Sequence, residues 1–107
     1  MEQTIWLSYD LGIKGDYEGL YAWLDNHEAI ECGDSIAFFR FNVINTENLI
    51  DELKSDLSEN VQFSKRDRVY VIWKIKNKIK GEFIFGKRKA SPWEGYGSKE
   101  SGVDEID

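Results

Sequence analysis

Ten of the fourteen lysines and arginines lie between residues 65 and 89, where only Asp67 and Glu82 oppose them. Residues 1–64 carry a net charge of −10 and residues 90–107 one of −4, so the total of −6 hides a basic strip between acidic flanks. Within the strip, Lys74, Lys76, Lys78 and Lys80 recur at every second position, the spacing at which strand side chains share a face. Such a comb, with Arg68 before it and Lys87, Arg88 and Lys89 after it, suits contact with the phosphates of RNA or DNA. It equally suits protection of an exposed sheet edge. The comb itself holds no arginine, so base-specific readout is not expected of it. Trp6, Phe39 and Tyr70 interleave with Arg40, Arg68, Lys74 and Lys76. Aromatics and cations on an open sheet face can stack single-stranded bases, or the aromatics can form a core or a protein interface.

Other reactive residues are sparse. His27 is the single histidine and has no partner at metal-binding spacing, so zinc is not expected. Cys32 is the single cysteine; it cannot form an internal disulfide and has no accompanying histidine, which reads as an inert core thiol in a reducing compartment. Gly12-Ile13-Lys14-Gly15 lacks the spacing of a phosphate-binding loop. Trp93 and Tyr96, in Pro92-Trp93-Glu94-Gly95-Tyr96, form either a short recognition segment or a fold-back onto the domain. Asp10 precedes Leu-Gly, a setting in which aspartate forms turns and local caps.

Positioning these residues requires a sheet and helices. Residues 4–10 alternate as a strand, with Ile5, Leu7 and Tyr9 on one face and Trp6, Ser8 and Asp10 on the other. Asp16 is a good helix cap, and Tyr17, Leu20, Tyr21 and Leu24 follow at helical spacing in a helix predicted over 17–28. Residues 30–43 read as a short strand, a tight turn and a longer aromatic strand from Ser35 to Phe41. Asn45 or Thr46 opens a second helix with the stripe Leu49, Ile50, Leu53 and Leu57. A polar turn over 58–66 leads into a strand over Arg68 to Ile75, and a connection over 77–81 returns into Glu82 to Phe85. At 107 residues, with 41% apolar residues and one proline, the chain has room for one domain and one core. That domain is expected over 1–89, followed by an acidic, partly disordered tail over 90–107, with the disorder expected in its last eight residues. No apolar run approaches the roughly 18 residues of a membrane span. The opening Met-Glu-Gln-Thr-Ile-Trp lacks a basic leader, so a cytoplasmic location is expected.

The order is β-α-β-β-α-β with an extra C-terminal strand: an α+β, ferredoxin-like arrangement with two helices on one face of an antiparallel sheet. Four stretches, in order, resemble the small CRISPR-associated ribonuclease-like family and its SinR-like and virulence-associated protein D relatives. They are Ile5-Trp6-Leu7-Ser8-Tyr9-Asp10-Leu11, Ser35-Ile36-Ala37-Phe38-Phe39, Thr46-Glu47-Asn48-Leu49-Ile50-Asp51-Glu52-Leu53 and Asp67-Arg68-Val69-Tyr70-Val71-Ile72. The likeness covers residues 4–75 and does not extend to Lys87-Arg88-Lys89-Ala90-Ser91-Pro92-Trp93-Glu94-Gly95-Tyr96. It implies a ferredoxin-like fold, usually a homodimer, and association with nucleic acid; a role in a nucleic-acid or defence-related assembly is expected, with no cofactor other than Mg²⁺ in view. In catalytic members an aspartate at the end of the first strand holds a divalent metal at the dimer interface, a position that falls on Asp10. Mg²⁺ shared by paired Asp10 carboxylates would make an endoribonuclease. A non-catalytic binding protein is the leading expectation, because no second acid or histidine is placed to help. A third reading is a protein-interaction module working through the acidic helices and the Trp93 segment.

Overall fold

The computed structural model describes residues 1–97. Five strands and two helices follow one another as β1 (Glu2–Asp10), α1 (Tyr17–Asn26), β2 (Ile30–Gly33), β3 (Ile36–Asn42), α2 (Leu49–Asn60), β4 (Arg68–Ile75) and β5 (Lys78–Phe85). A single 3-10 turn over Thr46–Asn48 leads into α2. The strands form one open sheet in the order β2-β3-β1-β4-β5, and every neighbouring pair is antiparallel. The result is a small α+β domain, and among the described residues no helix is long and apolar enough to cross a membrane.

Alternation along β1 fixes the two faces. Ile5 and Leu7 are buried while Trp6 and Ser8 between them are exposed, as the period of two requires. Cross-strand neighbours repeat the pattern: Ala37, Phe39 and Phe41 of β3 and Val69, Val71 and Trp73 of β4 are buried on the same side. Leu20, Trp23 and Leu24 of α1 and Leu49, Leu53 and Leu57 of α2 complete that core. Expectation and structure differ on α1. Trp23 takes the core position, stacked edge-on against Phe39 with centroids 5.2 Å apart, while Tyr17 and Tyr21 stay exposed around Tyr9. The helix ends at Asn26, two residues early, because Glu28 takes a left-handed φ of 55°. A bulge opposite Val69 and Tyr70 turns both Ile84 and Phe85 toward the core, and Phe85 stacks on Phe63 at 3.8 Å.

Phe39 is a correction. It is 2% exposed and packs under the helices, so it cannot share an open face with Trp6 and Tyr70. Its neighbour Phe38 occupies that place, paired with Trp6 in register and 5.2 Å from it between ring centroids. A second correction concerns the hairpin. The connection expected over 77–81 is only Lys76-Asn77, because Ile75 pairs directly with Lys78 and Lys76 adopts a φ of 56°. The disorder expected of the last eight residues lies outside the described residues.

Candidate functional site

The hairpin takes the lysine comb apart. Pairing of Lys74 with Ile79, Trp73 with Lys80 and Ile75 with Lys78 puts Lys74 on the uncovered face and Lys78 and Lys80 on the helix side. Lys76 sits in the turn. The four ammonium groups therefore do not form one row, because the strand ends at Ile75 and the chain reverses through its middle.

What the uncovered face holds instead is apolar. Ile30, Phe38, Trp6 and Ile72 lie side by side across β2, β3, β1 and β4. Tyr70 and Phe83 extend the band onto β5, ring to ring at 4.9 Å. Trp6 is 38% and Ile72 40% exposed, so the face carries large side chains that no element of the domain covers. Arg40 and Lys74 border the band at one end, and Asp10 and Arg68 at the other. Trp93 and Tyr96 also stand exposed, beyond β5. The signal for Phe38 was present in the sequence: it shares strand parity with Arg40, whereas Phe39 shares it with Phe41 and Ala37.

Asp10 is exposed at the end of β1 and faces Arg68 in register. Arg68 Nη2 donates to Asp10 Oδ2 at 2.8 Å, and Arg88 Nη2 lies 4.0 Å from the same oxygen. One chain thus supplies one carboxylate there, already held by two guanidiniums, and among the described residues no three His, Cys, Asp or Glu side chains gather as a metal site. That donor set does not fit Mg²⁺ within a single chain.

Asp67, which the sequence reading passed over, is the organising carboxylate. It is fully buried; Oδ1 accepts from the Gly12 amide and Oδ2 from the Ser64 amide, both at 2.7 Å. These bonds tie the β1–α1 loop to the α2–β4 loop. A Cβ on Gly12 would lie 3.2 Å from Cβ of Arg66, so the two loops are pressed together where glycine allows it. Gly86, at φ +67°, closes over the same place, where a side chain would collide with the Asp67 carbonyl. Asp16 adds a second tie, accepting from the Gly19 and Gln62 amides at 2.9 Å each. The Gln62 bond, then the Gly19 bond, hold its carboxyl below the usual range. Between the clamped loops is a recess of about 840 Å³ lined by Lys14, Lys65, Arg66 and Arg68 beside Asp10.

At the other end of β1 a groove of about 860 Å³ runs between α1, α2 and β3, bordered by Glu28, Asp51, Glu52, Asp56 and Glu59. Two of these acids serve the fold. Glu52 accepts from the Ile44 and Asn45 amides at 2.8 and 2.9 Å, and Asp56 accepts from Trp23 Nε1 at 2.7 Å. His27 stacks on Trp23 at 3.8 Å with Nε2 3.9 Å from Asp56. Cys32 is a further correction: it is exposed rather than in the core, because it lies on the short edge strand β2, and its thiol makes only a weak contact to the Ile36 carbonyl. No family model, no curated protein and no solved structure matches this chain.

Proposed function

We propose that this chain is a non-catalytic, cytoplasmic binding domain that pairs with a second copy of itself through the uncovered sheet face. The observation that carries the reading is the continuous band of Ile30, Phe38, Trp6, Ile72, Tyr70 and Phe83 left uncovered on a five-stranded sheet. Apolar surface of this extent on a soluble domain marks an interaction site. Five strands about 4.8 Å apart, four of them roughly eight residues long and β2 about half that, present roughly 550 Å², before side-chain relief is added. A stable interface takes about 800 Å² from each partner, so the face is of the right order for one self-complementary contact.

A ferredoxin-like layout is part of this reading, and the strand order supports it. β1 lies between β3 and β4, α1 connects β1 to the β2–β3 hairpin, and α2 connects that hairpin to β4, with β5 added outside. The same layout is what the resemblance to the small CRISPR-associated ribonuclease-like family implies, and association with nucleic acid or a defence assembly belongs to that proposal. The ion pairs on Asp10 favour a binding role over Mg²⁺-dependent cleavage.

Light scattering at tens of micromolar should return twice the 12.5 kDa chain mass, and the double change Trp6→Lys with Ile72→Lys should return the monomer without loss of folded signal. A wild-type monomer at that concentration would discard the reading.

A further inference from the structure

We propose that the recess between the β1–α1 and α2–β4 loops binds a compact polyphosphate, either pyrophosphate or the phosphate arm of a nucleotide. Lys14, Lys65 and Arg66 line it, are exposed, and have no carboxylate within 4.0 Å among the described residues. Arg68 lines it as well, and Arg88 reaches the same Asp10 carboxylate that Arg68 holds. Two guanidiniums therefore share one exposed acid, three further cations stand in the same recess with none, and the second carboxylate nearby, Asp67, is turned inward onto backbone amides. In a chain of net charge −6, cations brought together without partners are costly unless an anion completes them.

The recess is also built rather than incidental. Asp67 fixes both loops, Gly15 N donates to the Gly12 carbonyl at 2.8 Å, and Asp67 N donates to the Ser64 carbonyl at 3.1 Å. Loops held in this way place their cations before the ligand arrives, which lowers the ordering cost of binding. Guanidinium forks match phosphate oxygens two at a time, and a group of two or more phosphates uses more of these charges than a carboxylate can. The distribution of charge favours a compact anion over an extended strand. The lysines that could have continued a track are split between Lys74 on one face and Lys78 and Lys80 on the other.

The test is titration calorimetry of the full chain at low salt, without divalent cations, using pyrophosphate, ATP and adenosine as probes. Pyrophosphate and ATP should bind saturably, one per chain, and adenosine should not. Equal affinity for the first two assigns the site to phosphate alone, and tighter ATP adds recognition of the nucleoside. Lys65→Gln with Arg66→Gln should weaken binding about tenfold or more, and Lys78→Gln with Lys80→Gln by less than about twofold. Amide NMR shifts should move at Gly12, Ile13 and Ser64, and thermal melts check that each variant is folded. No saturable heat would overturn the proposal, as would equal weakening by the two double variants or binding of oligonucleotides alone. Lys14, Lys65 and Arg66 stand on loops rather than on the sheet face, so Trp6→Ser with Ile72→Ser, which breaks the dimer contact without adding charge, should change pyrophosphate affinity by less than about twofold.

Discussion

The two recesses at opposite ends of β1 are nearly equal in size, about 860 and 840 Å³, and opposite in charge, yet their charged groups are used differently. In the acidic groove two of the five acids, Glu52 and Asp56, are spent on the fold, one holding the amides before α2 and the other the indole of Trp23. In the basic recess the fold is held by Asp67, and the cations around it are left over. A run of like charge in sequence therefore does not identify a site. What identifies one is charge that the fold does not consume, gathered over a backbone that the fold does hold.

The largest effect expected from breaking this contrast is at Asp67. Asp67→Ala leaves the Gly12 and Ser64 amides without an acceptor where the carboxylate was fully buried, and each unsatisfied donor costs on the order of 1–3 kcal/mol. A loss of about 2–4 kcal/mol in urea unfolding is expected. Glu52→Ala, which also frees two amides, should cost only about 1 kcal/mol, because water can replace an acceptor at that exposed corner. Equal costs would mean that the α2–β4 loop is not pinned as described.

The residues of the sequence reveal unevenly how this came about. The faces of β1 could be read from Ile5, Trp6 and Leu7 alone, because burial on one side imposes strict alternation. Asp16 could be read as a cap, since its acceptor role lies within its own helix turn. Phe39 was misplaced because in Phe38-Phe39 both residues are aromatic, and only parity with Arg40 and Phe41 separates them. The lysine comb was misread because Lys76-Asn77 carries no glycine to announce a two-residue turn, although Lys76 takes a positive φ there. Asp67 and the recess were not legible at all. Their geometry depends on Gly12 meeting Ser64 across more than fifty residues, a contact that no local pattern encodes.

A smaller effect is expected between the two recesses, where no net charge is at stake. Tyr9 lies on the helix side of β1, edge-on to Tyr17 and Tyr21 at 6.4 and 6.1 Å. Burial first, then its hydrogen bond to Tyr21 and the nearby charges of Tyr21, Glu31 and Tyr17, push its phenol up to about 12 from 10.0. The neutral phenol is the form the folded chain favours. Its contribution is thus complete below pH 10 and is lost as the pH rises toward 12. Urea midpoints measured from about pH 9 to about pH 12 should fall over that window, and less steeply in Tyr9→Phe. A fall of equal steepness in the variant would assign the alkaline loss to other groups.

The smallest change in stability is expected at Asp10, and it separates the two roles a strand-end carboxylate can have. Asp10 and Arg68 form a surface ion pair, and such pairs contribute about 0–1 kcal/mol because water and salt screen them. Asp10→Asn keeps the side-chain shape and an oxygen for Arg68, so its melting curve should overlay the wild type to within about 0.5 kcal/mol. The substitution does change the charge balance of the recess. It removes the one exposed acid that, among the described residues, lines the recess beside Lys14, Lys65, Arg66 and Arg68, so pyrophosphate should bind more tightly, by about two- to fivefold. A metal-holding Asp10 predicts the reverse. Mg²⁺ would then strengthen phosphate binding in the wild type, any cleavage of RNA would depend on it, and both effects would vanish in Asp10→Asn. Pyrophosphate titrations of the two proteins with and without Mg²⁺, run beside an RNA cleavage assay, therefore decide between a carboxylate that tempers a cluster of cations and one that recruits a metal.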